Sequence, residues 1–465
     1  MSRRRYLIET FGCQMNVHDT ERMAGLLEQA GYERADGDAD ADVVVINTCS
    51  VREHAEEKLY TRLGELRVLG EETGRTRVVA VAGCVAQQEG DALFRKSNGH
   101  LIDVVLGTHR LKQLPALVER ATADRGAGRG EVDIERFDDV TFPVGVTRRG
   151  DAVRAYVTII EGCNDHCAFC VVPTTRGHER MRPKADILLD VQEAVASGRK
   201  EIQLLGQIVN HYQAPDDAGC DFAQLLADVD AVPGVERIRF ASPHPRHTGA
   251  RLIEAVRDLP RVCKHMHLPL QSGSTEVLRR MRRRHTREEY LDLVGRIREA
   301  IPGVTLSTDL IVGFPGETAR DFDDTMTLVE AVRYHSIFSF KYSERPNTLA
   351  ARRMADDVPE IEKTARIVAL QGRQREIQTA LHGASVGRVV DVLVDSVSRR
   401  REGELSGRTG GNTVVNFPVP GGAQAAPDLW LGRTMPILVT RAGPNSVAGE
   451  LAAPEAAVPV GAVTC

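Results

Sequence analysis

Three cysteines, Cys163, Cys167 and Cys170, stand in the run Glu161-Gly-Cys-Asn-Asp-His-Cys-Ala-Phe-Cys170. Thiolates at CxxxCxxC spacing suit metal. A four-iron cubane ordinarily takes four cysteine ligands. A triplet therefore leaves one iron open to a ligand that is not protein. A zinc knuckle is the competing reading, and it needs a fourth Cys or His at ligand spacing. His166 lies inside the loop and is poorly placed for that role.

Three further cysteines are far apart in sequence but alike in setting. Cys13, Cys49 and Cys84 are separated by 36 and 35 residues, and each stands just past a short apolar, β-branched run: Tyr6–Phe11, Asp42–Ile46 and Arg77–Ala82. Helical patterns at Asp19–Gln29 and Val51–Leu66 alternate with these runs, which implies βαβ units and a parallel sheet. Parallel strands all point the same way, so the residues just past their ends gather at one edge, where doubly wound sheets bind ligands. Buried structural thiols are the alternative, a common fate of free cysteine. Three cysteines at three strand ends favour a second iron–sulfur site, again with an open iron.

Length and pattern set the scaffold that places these thiols. A chain of 465 residues, 42% hydrophobic, has room for about three domains of ordinary size. Residues 3–120 form the first α/β unit, and the Gly-rich, aperiodic stretch 121–148 reads as a linker. Residues 149–380 alternate again. Strands are expected at Ala155–Ile160, Glu201–Leu205, Arg237–Phe240, His265–Leu270, Val304–Val312 and Ser336–Tyr342, with helices between. Six such units fit an open (β/α)6 barrel, whose chemistry sits at the C-terminal ends of its strands. The cysteine triplet comes after the first strand, as that rule requires. Residues 381–446 turn to short strands and Gly turns, the pattern of a small all-β barrel. Residues 447–465, rich in Ala, Pro and Val, read as a disordered tail, with Cys465 a free thiol.

Nine cysteines in a reducing compartment point to metal or catalysis rather than disulfides. There is no apolar run of about 18 residues, and no apolar segment behind the basic start Met-Ser-Arg-Arg-Arg-Tyr. A cytoplasmic protein without a membrane contact is expected. The net charge of −5 excludes a generally basic, nucleic-acid-coated surface but not a local basic face. The densest basic run is Leu278-Arg-Arg-Met-Arg-Arg-Arg-His285; there Arg282, Arg283 and Arg284 are candidates for phosphate contacts, which position RNA without reading sequence. A solvated face offset by Glu288, Glu289 and Asp292 is the plainer reading. Residues 381–465 hold seven Lys+Arg and seven Asp+Glu, so that region is not basic overall.

The motifs carry a family resemblance. Thr10-Phe-Gly-Cys-Gln-Met-Asn16, Ile46-Asn-Thr-Cys-Ser-Val-Arg-Glu53 and Ala82-Gly-Cys-Val-Ala-Gln87 resemble the N-terminal domain of radical S-adenosylmethionine methylthiotransferases. The triplet with Phe169, Thr175-Arg-Gly-His-Glu179, His267-Leu-Pro-Leu-Gln-Ser-Gly-Ser274 and Asp309-Leu-Ile-Val-Gly-Phe-Pro-Gly-Glu-Thr318 resemble their radical core. Gly407-Arg-Thr-Gly-Gly-Asn412 is similar to the RNA-binding TRAM module. With Leu204-Leu-Gly-Gln-Ile-Val-Asn210, the chain is most similar to the branch acting on N6-isopentenyladenosine in tRNA. The family usually has Asn at Ile208 and often Ser at Met181.

The resemblance implies two [4Fe-4S] clusters, on Cys163, Cys167 and Cys170 and on Cys13, Cys49 and Cys84. It also implies S-adenosylmethionine as radical source and methyl donor, and methylthiolation of C2 of the modified adenosine at tRNA position 37. Phe169, Gly206, Gln207, Ser242, Gln271, Asp309, Gly313 and Glu317 are the candidate S-adenosylmethionine contacts. Asp309 and Glu317 serve equally well as a helix cap or surface charge. In the β-barrel, Arg399, Arg400, Arg401 and Arg408 are candidate RNA contacts. Expected partners are a tRNA anticodon stem-loop, an electron donor such as flavodoxin or ferredoxin, and an iron–sulfur carrier protein, with the enzyme a monomer. Methylthiolation of threonylcarbamoyladenosine in tRNA, or of a ribosomal-protein aspartate, is the near alternative. A non-catalytic iron–sulfur RNA-binding sensor is the distant one.

Overall fold

The computed structural model describes residues 3–50, 53–124, 130–136, 145–398, 401, 403–418 and 429–452. Its first unit is a six-stranded parallel sheet. The strands are β1 (Arg5–Phe11), β2 (Glu33–Arg34), β3 (Val43–Thr48), β4 (Val78–Gly83), β5 (Val104–Leu106) and β6 (Glu131–Asp133), in the order β2-β1-β3-β4-β5-β6. Every residue of β3 and β4 is buried, because helices cover both faces of the sheet. Strand periodicity sorts the side chains. Val43, Val45, Val78 and Ala80 pack with Met23, Leu27, Leu114 and Leu117 on one face. Val44, Ile46, Val79 and Val81 pack with Leu59, Leu63 and Leu66 on the other.

The stretch 121–148 is not a plain linker. Helix Leu114–Ala123 runs into it, and β6 pairs in parallel with β5. Beyond residue 145 the chain is pressed against helix Gln14–Gln29: a Cβ on Gly25 would lie 1.4 Å from the Val146 carbonyl oxygen, and Arg148 N–H donates to Glu21 O at 2.9 Å.

The central unit has strands β7 (Arg154–Thr158), β8 (Ile160–Glu161), β9 (Arg180–Met181), β10 (Glu201–Leu205), β11 (Arg237–Phe240), β12 (His265–His267), β13 (Thr305–Val312) and β14 (Ser336–Lys341). Two parallel arcs, β11-β10-β7 and β12-β13-β14, meet at a seam carried by a single parallel bridge, Ile238 to Val262. This is the open six-strand barrel. β8 and β9 form a separate antiparallel pair that anchors both ends of the cysteine loop. Capping boxes at Thr286/Glu289 and Thr318/Asp321 start helices Arg287–Ala300 and Ala319–Val332.

Helix Glu360–Gly383 packs on β14 and leads into a closed barrel of β15 (Val389–Val397), β16 (Glu404–Thr409), β17 (Val414–Pro418), β18 (Thr434–Ala442) and β19 (Val447–Leu451), ordered β15-β16-β17-β19-β18. β19 lies where a tail was expected. It closes the barrel, and only residues beyond 452, Cys465 among them, lie outside the described set at this end. This barrel docks on the N-terminal edge of the central strands: Arg239 donates to the Thr409 and Gly410 carbonyls at 2.7 and 3.1 Å, and Thr305 Oγ1 donates to Gly411 O at 2.9 Å. Among the described residues no helix is long and apolar enough to cross a membrane.

Candidate active site

Cys13, Cys49 and Cys84 emerge together at the C-terminal edge of the first sheet. Cys13 is the N-cap of helix Gln14–Gln29, Cys49 comes directly after β3, and Cys84 opens helix Cys84–Glu89. Cys13 and Cys49 flank the point where strand order reverses between β1 and β3, the usual ligand crevice of such sheets. Two asparagines brace them. Asn16 Oδ1 accepts from the Cys13 thiol at 3.2 Å, and Asn16 Nδ2 donates to Asn47 Oδ1 at 3.1 Å. Gly83, at φ +92°, is required before Cys84, since a Cβ there would lie 2.4 Å from Asn47 Oδ1. Sequence reasoning missed both asparagines as supports; their places three residues after Cys13 and two before Cys49 were the signal.

These thiols are in contact. A hydrogen bond shared with Cys49 pulls Cys13 down to about 5, against its burial and with help from the Arg176 charge. The same two causes bring Cys84 down to about 7, while Cys49 is pushed up. Thiolate character is thus favoured at Cys13 and Cys84 and opposed at Cys49, which holds the shared proton.

The second thiol set lies on the central barrel. Gly162, at φ +80°, turns the chain out of β8; a Cβ there would lie 1.9 Å from the His178 carbonyl oxygen. Cys163 N–H donates to Gly177 O at 3.1 Å, and Ala168 N–H to Met281 O at 2.9 Å. Burial pushes Cys163 up to about 11 and Cys170 to about 12. A bound cation reverses that, because coordination deprotonates thiols outright. Phe169 meets Phe314 edge-on at 6.5 Å. His166 is exposed to solvent.

None of the eight described cysteines is in a disulfide. Among the described residues no three His, Cys, Asp or Glu side chains converge as a single-ion site. A cubane asks for something different, one thiolate on each of three irons. Two observations fit such a group. Arg283 Nη1 donates to Cys167 Sγ at 3.4 Å while its Nε is buried without a partner, and the buried Gln207 Oε1 is likewise unmatched.

The remaining predicted residues divide. Gly206 and Gln207 lie just past β10, and Gln207 Nε2 lies 2.9 Å from Met15 Sδ in the first domain. Ser242 (φ +60°), Gln271 (φ +80°) and Gly313 (φ +70°) lie past the ends of β11, β12 and β13. Left-handed backbone at two non-glycine residues on successive strand ends is strain of the kind functional sites hold. Glu317 does something else. It accepts from Gly313 N–H at 3.0 Å and from Arg366 at 2.8 Å, so it braces the turn. Asp309 lies within β13, paired with His267 at 3.4 Å. Ile208 is buried beside Gly206, and Met181 Sδ accepts from Gln213 N–H at 3.0 Å.

The basic candidates also divide. Positive φ at Arg282 and Arg284 sends those side chains to solvent and Arg283 inward, so Arg283 is not a phosphate contact. Arg284 lines a cleft of about 230 Å³ with Arg246, Arg296 and Glu289. Arg401 is exposed on the β15–β16 hairpin, and Arg399 and Arg400 lie outside the described residues. Arg408 is committed to the seam with the central unit: it faces Asp395 at 3.6 Å and Asn412 Oδ1 at 3.3 Å, and its carbonyl accepts from Arg237.

A buried charge network joins the two thiol sets. Arg176 donates to Asp19 at 2.6 Å, Arg22 pairs with Glu161 at 3.1 Å, and His18 meets Thr158 at 2.7 Å. Glu161 stands two residues before Cys163. Burial opposes its ionisation, but Arg22, Arg176 and Arg180 outweigh that and hold its carboxyl below the usual range.

Residues 157–329 match the radical SAM superfamily, residues 383–452 the TRAM domain, and residues 5–107 the Uncharacterized protein family UPF0004. The chain is therefore a radical SAM protein with a TRAM module. Its fold is similar to that of the radical S-adenosylmethionine methyltransferase TsrM from Kitasatospora setae, with a TM-score of 0.53 at 15% identity, over 75% of this chain and 77% of that one. Over 452 residues it is 44% identical to the tRNA-2-methylthio-N(6)-dimethylallyladenosine synthase of Symbiobacterium thermophilum, covering 96% of this chain and 93% of that protein. The synthase of Geobacter metallireducens is 43% identical over 449 residues, with 96% and 98% covered. The chain belongs to the tRNA-2-methylthio-N(6)-dimethylallyladenosine synthase family.

Proposed function

We propose that this protein adds a methylthio group to C2 of N6-isopentenyladenosine at position 37 of tRNA. The observation that carries the reading is the pairing of two three-thiol sets, each at the C-terminal edge of a parallel sheet, across one buried charge network. Cys163, Cys167 and Cys170 would hold a [4Fe-4S] cluster with S-adenosylmethionine, and Cys13, Cys49 and Cys84 an auxiliary one. Bound there, the first supplies the 5′-deoxyadenosyl radical and the second presents sulfur, the cofactor doing the hard chemistry.

The chain's own residues orient and enclose. Asn16 and Asn47 set the Cys13 rotamer, and Gly162 lays the cysteine loop flat against residues 177–178. Phe169 with Phe314 walls one side. Gly206, Gln207, Ser242, Gln271 and Gly313 present strand-end backbone and amide groups where the cofactor would lie. The target base must leave the anticodon-loop stack to reach the two thiol sets, as is usual when enzymes act on a base. Arg282, Arg284 and Arg401 are the exposed cations offered to the phosphate backbone. A low-potential donor such as flavodoxin or ferredoxin, an iron–sulfur carrier, a monomeric state and a cytoplasmic setting complete the proposal.

Iron and sulfide analysis of anaerobically reconstituted protein tests it. Wild type should hold about eight irons, and Cys13→Ala and Cys163→Ala about four each. Nucleosides from cells lacking the gene should lose the methylthio mark on isopentenyladenosine; a retained mark, or four irons in wild type, sinks the assignment.

A further inference from the structure

Arg283 turns inward from a run whose neighbours Arg282 and Arg284 face solvent. Its guanidinium donates through Nη1 to Cys167 Sγ at 3.4 Å and through Nη2 to Pro269 O at 2.8 Å, and Nε is buried without a partner. Among the described residues no carboxylate lies within ion-pair distance of it. A buried cation needs a compensating anion. The sulfur it touches is that of Cys167, which supplies the missing counter-charge when it ligates metal.

The other thiol set is treated differently. Its buried arginine, Arg176, is neutralised by Asp19 at 2.6 Å. One site therefore carries a balanced ion pair, and the other an unbalanced positive charge with a direct N–H donor to a ligand sulfur.

We infer that Arg283 is a positioning residue that raises the midpoint potential of the iron–sulfur cluster held by Cys163, Cys167 and Cys170. This rests on the proposal that the triplet holds such a cluster. Reduction adds one electron and one negative charge to the cluster, with no bond made or broken. A fixed positive charge and a hydrogen bond to a ligand sulfur favour the more negative state, and such hydrogen bonds are a recognised control of cluster potential. Arg283 acts on electron uptake, ahead of any substrate chemistry. Arg282 and Arg284, one residue away on either side, do not share this role.

The test is an EPR-monitored redox titration of the reconstituted full chain, with dithionite as the one-electron reductant. Wild type, Arg283→Gln and Arg283→Lys are compared. The triplet's cluster is the one whose signal changes on adding S-adenosylmethionine, and the other cluster is an internal control. In R283Q the reduction equilibrium of the responsive cluster should fall at least tenfold, a shift of about 59 mV for one electron, with the control cluster unmoved. R283K, which keeps the charge without the planar fork, should fall between. If R283Q loads no iron at the triplet, R283K alone decides: a potential below wild type supports the inference, and a wild-type potential overturns it. An unchanged potential in both variants, or an equal shift of both clusters, also overturns it. Failure of the cluster assignment itself would look different, as no signal responsive to S-adenosylmethionine in wild type.

Discussion

Asp19→Asn isolates the charge that ties the two thiol sets together. Asp19 and Arg176 have side chains only 3% and 4% exposed and meet at 2.6 Å. Asparagine keeps the shape and one acceptor oxygen, so the substitution removes charge and little else. Breaking a buried pair by removing one partner costs about 3–5 kcal/mol, because the surviving ion stays buried. For a unit of this size that lowers the thermal midpoint by roughly 10 °C. The cost should depend on metal. Arg176 also feels Cys13 and Cys84, and coordination adds the charge of Cys49 beside them, the thiol that keeps its proton without metal. A charge-assisted contact of that kind returns about 1.5 kcal/mol or more, so D19N should destabilise the reconstituted protein less than the metal-free chain. Anaerobic calorimetry of both states, in wild type and D19N, measures this. A metal-free loss under about 1 kcal/mol, or equal losses in the two states, would refute the reasoning.

Two further outcomes concern neighbouring groups. Burial pushes the Glu21 carboxyl up to about 7, against the one hydrogen bond it accepts from Gly150 N–H at 2.9 Å. A carboxyl raised in the folded state contributes most stability below about pH 4.5 and loses it as pH climbs to 7, about 3 kcal/mol in all. Glu21→Gln should therefore stabilise the protein at pH 8 by up to that amount and by under about 1 kcal/mol at pH 5; parallel melting curves across pH for the two proteins would contradict it. For RNA, the double variant Arg282→Glu with Arg284→Glu should weaken anticodon stem-loop binding and flatten the salt dependence of log K by about two, one for each lost phosphate contact. Fluorescence anisotropy across a salt series reads the slope, and an unchanged slope places the phosphate path elsewhere.

Legibility in the chain depended on how local the cause was. β3 and β4 announce themselves because a strand covered on both faces is apolar throughout, and Cys49 and Cys84 inherit their positions from those strands. β6 is three residues long and exists through its pairing with β5, so Glu131–Asp133 carries no pattern of its own. β19 hides in an Ala- and Val-rich segment that is a strand because the barrel needs a closing partner. The arginines divide along the same line. A basic run signals phosphate by composition, yet the sign of φ at Arg282 and Arg284 decides that Arg283 points to Cys167. Arg408 is drawn into the seam by Asp395, which the pairing of β15 with β16 brings close and which no sequence pattern links to it.

The geometry between the two sites is set by one helix. Cys13 caps Gln14–Gln29, so Asp19 and Arg22 lie on a rigid rod starting at that thiol, about 9 and 13 Å further along its axis. Asp19 binds Arg176 and Arg22 binds Glu161, and these two residues bracket the cysteine loop in sequence. Two ion pairs on one rod fix rotation as well as distance, which a single contact cannot do. The TRAM barrel, by contrast, grips the opposite edge of the central strands through Arg239 and Thr305. The two thiol sets and the TRAM barrel therefore lie at opposite edges of the central strands. Loosening the rod should uncouple the two thiol sets without unseating the TRAM barrel, and that separation is what makes the charge network, rather than either cysteine triplet alone, the feature that defines this site.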